Sequence, residues 1–251
     1  MRRAEWHVAT GRDLMAPGRL QPWTGAIAPG LSWPLIVAAA AFLLLLPQGE
    51  RLMLDGDVYF HVAIGRWIIE HRAVPPFDVF SYTLRDAPWT AHEWLAEVLF
   101  AWAHGLAGWH GVVALAAAAF ALALAILNRF LLRHLEPVYA LLFTAMAASL
   151  LAFHLLARPH ALIAPLLAAW GIALVEASER GEAPPRWVAL LMVLWANLHG
   201  SFVFGLVLVP AFAIEAWLAA ARGDHRRRVA GGWAVFLALA VIAALITPFG
   251  P

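Results

Sequence analysis

The stretch VVALAAAAFALALAIL, residues 112–127, contains no charged and no hydrogen-bonding side chain. Similar apolar runs occupy residues 31–47 and 202–221. These runs reach or approach the roughly 20 apolar residues that a helix needs to cross a bilayer. They are continuously apolar, whereas the strands of a membrane barrel alternate apolar and polar residues. The sequence therefore predicts transmembrane helices.

The composition of the whole chain supports this class. Hydrophobic residues make up 63% of the sequence, charged residues 13%, and the mean hydropathy is +0.75. A soluble domain carries about 25% charged residues. The chain has no Cys, which excludes thiol catalysis and thiolate metal sites. No basic stripe accompanies the net charge of +1, so membrane lipid and not nucleic acid is the expected partner.

Loop charge predicts the topology. The polar tail, residues 1–30, carries four Arg and is placed in the cytoplasm by the positive-inside rule. Residues 31–251 then form an all-α transmembrane module whose first outer loop is 49–92. The segment 93–107 is interpreted as an interfacial or re-entrant helix that does not cross the membrane. If it crossed, every later loop would lie on the opposite side of the membrane. The seven predicted spans are 31–47, 111–127, 138–156, 161–175, 187–196, 202–221 and 233–246. The end of the chain just after an apolar segment is typical of the front part of a longer protein.

Five polar clusters interrupt the apolar runs, and this topology places all of them on the outer side. We therefore expect one polar working face, with the Arg-rich loops on the opposite side of the membrane. The clusters are residues 55–57 with His61, then 92–94, 158–160, 197–200 and 247–250.

The first outer loop begins with Asp55-Gly56-Asp57 and continues as an amphipathic helix over residues 58–71. Paired carboxylates at a membrane surface suit a divalent cation, Mg²⁺ or Mn²⁺, or a general base acting on an acceptor hydroxyl. Asp57 also suits the N-cap of the helix, and both interpretations stay open. For His61 a solvated position at the interface is favoured over a ligand role.

The second cluster, His92-Glu93-Trp94, follows Thr90 in a spacing that matches a capping box. Capping by Thr90 and Glu93 is therefore favoured over a catalytic or binding role for Glu93. His92 has no such structural explanation and is a candidate substrate-binding residue.

The later clusters offer binding side chains. Arg158, beside the helix-breaking Pro159, suits a lipid-linked phosphate or snorkels to head groups. His160 and His199 would support the phosphate role. Asn197 is a further candidate, although an interhelical hydrogen bond is favoured there.

The stretch DGDVYFHVAIGRWIIEHRAVPPFDVFSYT, followed by HEWLAEVLF, LARPH and WANLHGSFVFGL, resembles a group of bacterial polytopic membrane proteins related to the GT-C glycosyltransferases. That superfamily includes protein O-mannosyltransferases and lipid A aminosugar transferases. The resemblance covers most of residues 31–250. It implies a bacterial cytoplasmic-membrane enzyme that moves a sugar from a polyprenyl-phosphate carrier to an acceptor on the outer face. It also implies that Asp55 and Asp57 supply the catalytic base or the metal ligands.

A second class of function stays open. A non-enzymatic membrane protein that binds or translocates a lipid-linked or anionic substrate would use the same Arg and His residues and would need no base.

Overall fold

The computed structural model describes residues 31–250, so the predicted cytoplasmic tail lies outside the described part of the chain. Within these residues the chain forms α-helices and turns, with one isolated antiparallel bridge between Phe77 and Pro88 and no β-strand. Short 3-10 turns at Leu46–Gln48 and Arg186–Ala189 precede α2 and α7. The helices are α1 (Trp33–Leu45), α2 (Gly49–Leu52), α3 (Asp57–His71), α4 (Trp94–Leu131), α5 (Pro137–Ala152), α6 (Pro159–Arg180), α7 (Leu190–Leu198), α8 (Phe202–Ala219) and α9 (Asp224–Ala244).

Five helical segments of the described chain are long and apolar enough to cross a membrane, which agrees with the predicted all-α membrane bundle. The predicted count of seven is not confirmed. The other two predicted spans are the shorter apolar segments Pro137–Ala152 and Arg186–Leu198. The five longer segments are Trp33–Leu52, Trp94–Leu131, Pro159–Arg180, Phe202–Ala219 and Asp224–Ala244.

Helix α4 is broken near its middle. A straight helix of its 38 residues would be about 57 Å long, far more than the hydrocarbon core of a bilayer. Ala107 and Gly108 leave the helical conformation, and Gly108 has a φ of 58°. Beyond the break Gly111 packs directly on the carbonyl group of Ala103, so the chain turns sharply. The first arm, residues 94–106, is thus separate from the second, 109–131, as the sequence predicted for the segment 93–107.

The first arm of α4 packs against α3. The side chains of Val58, Val62, Ile64 and Ile68 are buried, so the predicted amphipathic helix of the first outer loop is present and its apolar face is covered. Gly65 lies against the carbonyl group of Glu97, where a side chain would not fit. This close approach brings the polar side chains at the start of α3 beside those at the start of α4.

Bulky aromatic side chains fill the centre of the bundle. Trp170, Trp195 and Trp233 are almost fully buried, and the indole nitrogen of Trp170 donates to the carbonyl of Gly205 in α8 at 3.0 Å. Large apolar side chains such as Leu44 and Phe204 are instead exposed on the outer helix surfaces. Such surfaces are typical of helices that face lipid.

The end of the bundle formed by the C-termini of α4 and α6 is rich in Arg. Arg133 contacts the carboxylate of Glu176 at 2.6 Å, and Arg180 approaches the same group at 3.6 Å. The N-terminus of α9 lies beside the C-terminus of α6, since His225 is near Gly181. The Arg cluster 226–228 therefore belongs to this end.

Candidate functional site

Helix ends from distant parts of the chain meet at the other end of the bundle. The N-termini of α3, α4 and α6 converge there with the turn between α7 and α8. They enclose a cavity of about 390 Å³, with Phe60 and Pro159 as its apolar walls. Its polar lining consists of Asp57, His61, Glu93, Arg158, His160 and His199. The expectation that the separate polar clusters share one face is therefore met for these six residues.

Arg158 joins the α6 end to the first loop. One guanidinium nitrogen lies 2.8 Å from Oδ2 of Asp55 as an ion pair, and the other donates a hydrogen bond to Oδ2 of Asp57. The guanidinium is directed at these carboxylates, and the snorkelling interpretation, which depends on the position of the membrane, stays a prediction. The phosphate-binding interpretation stays a prediction.

The two Asp residues make different contacts at the start of α3. Oδ1 of Asp55 accepts a hydrogen bond of 3.0 Å from the backbone N–H of Asp57, the first residue of α3. Asp57 itself is not the N-cap, since that position is Gly56 and no side chain caps the helix there. The capping interpretation of Asp57 is therefore wrong, and its carboxylate lines the cavity, where it is paired with Arg158.

The same two carboxylates were expected to hold Mg²⁺ or Mn²⁺. Within residues 31–250 no group of three or more His, Asp and Glu side chains is arranged to hold a metal ion. A divalent cation at Asp55 and Asp57 would have to displace or share the guanidinium of Arg158. The arrangement fits a guanidinium better than a metal ion, and the metal stays a prediction.

Glu93 lies at the centre of three imidazole rings. Its carboxylate is 3.4 Å from Nε2 of His199, 3.8 Å from Nε2 of His92 and 4.0 Å from Nε2 of His61. Burial raises the pKa of Glu93, while the charges of His61 and His92 act in the opposite direction. His92 is the outermost of the three, exposed to solvent and not part of the cavity wall.

The capping box predicted for Glu93 is wrong. The helix begins at Trp94, Glu93 occupies the N-cap position, and no side-chain hydrogen bond caps the helix. The physical reason is tertiary: the carboxylate points towards the imidazoles, two of them from distant parts of the chain, instead of back to the backbone of Thr90.

His61 is not solvated, contrary to expectation. Only 7% of the residue is exposed, and its ring lies between Glu93 and Glu97, with Nδ1 3.5 Å from Oε1 of Glu97. Sequence reasoning missed Glu97, which is 3% exposed. Its signal was an ionisable residue one helical turn after Glu93 within an otherwise apolar helix, a position that favours function.

The tautomer of neutral His199 follows from its contacts. Its Nδ1 accepts a hydrogen bond of 3.0 Å from the backbone N–H of Ser201, so Nε2 carries the proton and faces Glu93. Burial lowers the pKa of His199, and the positive neighbours His160 and His92 lower it further. Neutral His199 therefore presents an N–H donor to the cavity.

His160 lies beside His199, with ring centroids 6.5 Å apart. Its Nε2 donates to the backbone carbonyl of His154 at 3.1 Å. His154 is exposed in the turn after α5.

Asn197 connects elements around the site by hydrogen bonds but does not line the cavity. Its Oδ1 accepts a hydrogen bond of 2.7 Å from the indole N–H of Trp94. Its Nδ2 donates to the carbonyls of Val193 at 2.7 Å and Ile246 at 2.8 Å. The favoured interpretation, an interhelical hydrogen bond, is confirmed. The candidate substrate-binding role of Asn197 gains no support, because both hydrogens of its amide are already used.

The arrangement can therefore bind an anionic, hydrogen-bond-accepting group at Arg158 and His199 and can accept a proton at a carboxylate in the same cavity. Comparison with known proteins adds no relative to this description: no family model, no curated protein and no solved structure matches the chain.

Proposed function

We propose that this protein is an integral-membrane glycosyltransferase that moves a sugar from a polyprenyl-phosphate carrier to an acceptor. One observation carries the proposal. Carboxylates, imidazoles and a guanidinium from four separate chain segments line a single cavity at one end of an apolar bundle. Ionisable groups are costly at a membrane boundary and mark functional sites there. Transfer to a hydroxyl needs such a carboxylate, to take the proton.

The donor phosphate is assigned to Arg158 and His199. A guanidinium has five N–H groups, and contacts with Asp55 and Asp57 leave others for phosphate oxygens. The Nε2–H of His199 offers one more donor in the same cavity. These groups would stabilise the charge that develops on the phosphate as the sugar leaves.

We further propose that the cavity faces outward from the bacterial cytoplasmic membrane, with seven crossings. The Arg-rich end around Arg133 and residues 226–228 then lies inside, as the positive-inside rule requires. The shorter segments Pro137–Ala152 and Arg186–Leu198 each supply one crossing in this arrangement, which demands local thinning of the bilayer.

The test is transfer by the purified protein in lipid nanodiscs, with undecaprenyl-phosphate-linked glucose, mannose and aminoarabinose as donors. Asp55→Asn and Asp57→Asn are assayed beside Asp86→Asn, an exposed loop position outside the cavity that serves as the control. Binding of radiolabelled undecaprenyl phosphate is measured on the same samples.

We expect transfer by the wild type and by the control, and reduced transfer with retained carrier binding in Asp55→Asn and Asp57→Asn. Carrier binding by the wild type without transfer from any donor would contradict the enzyme and favour a non-enzymatic binder. Unchanged transfer in both variants would refute the role of the pair while leaving the enzyme in place.

A further inference from the structure

A histidine between two carboxylates lies directly behind the cavity. Glu93 and Glu97 are one turn apart at the start of α4, and the His61 ring from α3 lies between them. The distances are 4.0 Å from Nε2 of His61 to Glu93 and 3.5 Å from Nδ1 to Glu97. Gly65 permits this geometry, because it lets α3 approach the backbone of α4 at Glu97.

The inner half of this cluster is buried and incompletely bonded. His61 and Glu97 are more than nine-tenths buried, and within residues 31–250 neither Nδ1 of His61 nor Oε2 of Glu97 has a hydrogen-bond partner. A buried polar atom without a hydrogen bond is costly, and apolar side chains would pack this contact without that cost. The groups at His61 and Glu97 therefore serve a purpose other than packing.

We propose that Glu93 is the catalytic base of the transfer reaction, and that His61 and Glu97 are positioning residues that hold it. This inference rests on the proposed function. The acceptor oxygen attacks the anomeric carbon, the bond from that carbon to the phosphate oxygen breaks, and its electron pair stays on the polyprenyl phosphate. The proton of the acceptor hydroxyl passes to the Glu93 carboxylate.

Geometry favours Glu93 over the Asp pair. The Oδ2 atoms of Asp55 and Asp57 both contact Arg158, whereas the Glu93 carboxylate lines the cavity with no guanidinium paired to it in the described part of the chain and with its nearest imidazole at 3.4 Å. Burial also raises the pKa of Glu93, and a more basic carboxylate is a better proton acceptor near neutral pH.

The charges around Glu93 determine how its titration responds to substitution. On α4 the neighbour is Glu97, which raises the pKa of Glu93. The groups that lower it are His61 of α3, His92 of the preceding loop and Arg158 of α6. The other titratable groups that face the carboxylate across the cavity are Asp57, His160 and His199.

The first arm of the experiment measures transfer. Glu93→Gln should lose about 10²- to 10⁴-fold in rate, the usual contribution of a general base. Glu93→Asp should recover part of this loss. Glu70→Gln, on the exposed side of α3, is the control and should be unchanged. Full activity of Glu93→Gln beside an inactive Asp57→Asn would overturn this inference and leave the transferase intact.

The second arm needs no substrate. The difference between the infrared spectra of the wild type and of Glu93→Gln reports the carboxyl band of Glu93 as the pH is varied. His61→Gln should move the midpoint of this titration to higher pH, and Glu97→Gln should move it to lower pH. Opposite shifts would not follow from loss of packing alone.

The two arms separate the possible failures. Absence of either shift would overturn the positioning roles of His61 and Glu97, whatever the activity. Opposite shifts in a protein that transfers no sugar from any donor would instead support the coupling of the three side chains, and would overturn both the transferase and the base role of Glu93.

Discussion

Gly65 of α3 packs directly on the backbone carbonyl of Glu97 in α4, with no space between them for even a methyl group. This contact fixes the two helices that carry His61, Glu93 and Glu97. The carbonyl is part of a helix backbone and cannot rotate away as a side chain would.

Gly65→Ala should therefore destabilise the protein. Overpacking of this kind costs about 1–3 kcal/mol, and a rigid backbone neighbour favours the upper part of that range. The measurement is thermal unfolding in detergent. Gly105→Ala is the control, because nothing lies within 4 Å of an added methyl group there and alanine is the better helix former. Equal stability of Gly65→Ala and Gly105→Ala would contradict the close packing of α3 on α4.

Asn197→Leu should remove the hydrogen bonds that join α4, α7 and the end of α9. The indole N–H of Trp94 and the carbonyl of Ile246 would each lose a hydrogen-bond partner. Each loss lowers the free energy of unfolding by about 1–3 kcal/mol. Ser149→Ala, which loses one exposed hydrogen bond, is the control.

A double-mutant cycle with Trp94→Phe isolates the bond between Trp94 and Asn197. We expect the two substitutions together to cost less than the sum of their separate costs, because they remove the same bond. Strict additivity would mean that this bond contributes nothing to stability.

The proposed orientation can be checked by labelling, since the chain has no natural Cys. Tyr82→Cys lies in the exposed loop at the cavity end, and Asp224→Cys lies at the Arg-rich end. A membrane-impermeant maleimide added to intact spheroplasts should label position 82 at once and position 224 only after permeabilisation. Labelling of both positions from one compartment would contradict an orientation in which the cavity end and the Arg-rich end lie on opposite sides of the membrane.

Arg158→Gln should strengthen binding of a divalent cation. The substitution leaves Asp55 and Asp57 without the guanidinium that now neutralises them. Carboxylate oxygens are the ligands that hard cations prefer. Binding of Mn²⁺, followed by electron paramagnetic resonance, should be tighter in Arg158→Gln than in the wild type, and this gain should vanish in Arg158→Gln/Asp57→Asn. Equal binding in all three proteins would argue against cation binding at the pair.

The turn after α3 should loosen in acid. The side chain of Asp78 accepts hydrogen bonds from the hydroxyl and backbone of Ser81 and from the backbone of Phe80, and these bonds lower its pKa. A carboxylate whose pKa is lower in the folded protein stabilises the fold above its unfolded pKa. That contribution is lost as the pH falls through the folded pKa.

Amide hydrogen exchange provides the measurement. Protection factors of Phe80 and Ser81, corrected for intrinsic exchange, should fall in acid for the wild type. They should not depend on pH in Asp78→Asn, which keeps the size of the side chain and its Oδ1 acceptor but removes the titrating charge. Protection that does not depend on pH in the wild type would contradict this role of Asp78.

The apolar runs and the polar segments between them were sufficient to predict the helices, the separate helix after Glu93 and the polar ends of the bundle. Spans with long uniform runs, such as residues 202–221, are defined by hydropathy alone. The count of seven depended on two short segments, and hydropathy cannot decide whether helices such as Leu190–Leu198 cross a bilayer.

The sequence identified the residues that line the cavity but not the contacts between them. Sequence spacing identified Asp55, Asp57 and Arg158 as polar groups near one face, and could not indicate that they would neutralise one another across about a hundred residues of chain. Glu93 matched a local capping rule, yet tertiary neighbours determined where its carboxylate points. Such pairings depend on how α3 and α6 pack, and no local pattern records that.

The hydrogen bonds of Asn197 have a consequence for biosynthesis. They connect positions 103 residues apart on one side and 49 residues apart on the other. A ribosome delivers Trp94 first, then Asn197, and Ile246 last of the three. The Nδ2 group of Asn197 therefore cannot donate to the carbonyl of Ile246 until α9 has left the ribosome and entered the bilayer. The hydrogen bonds that join α4, α7 and the end of α9 are therefore complete only at that late stage of translation.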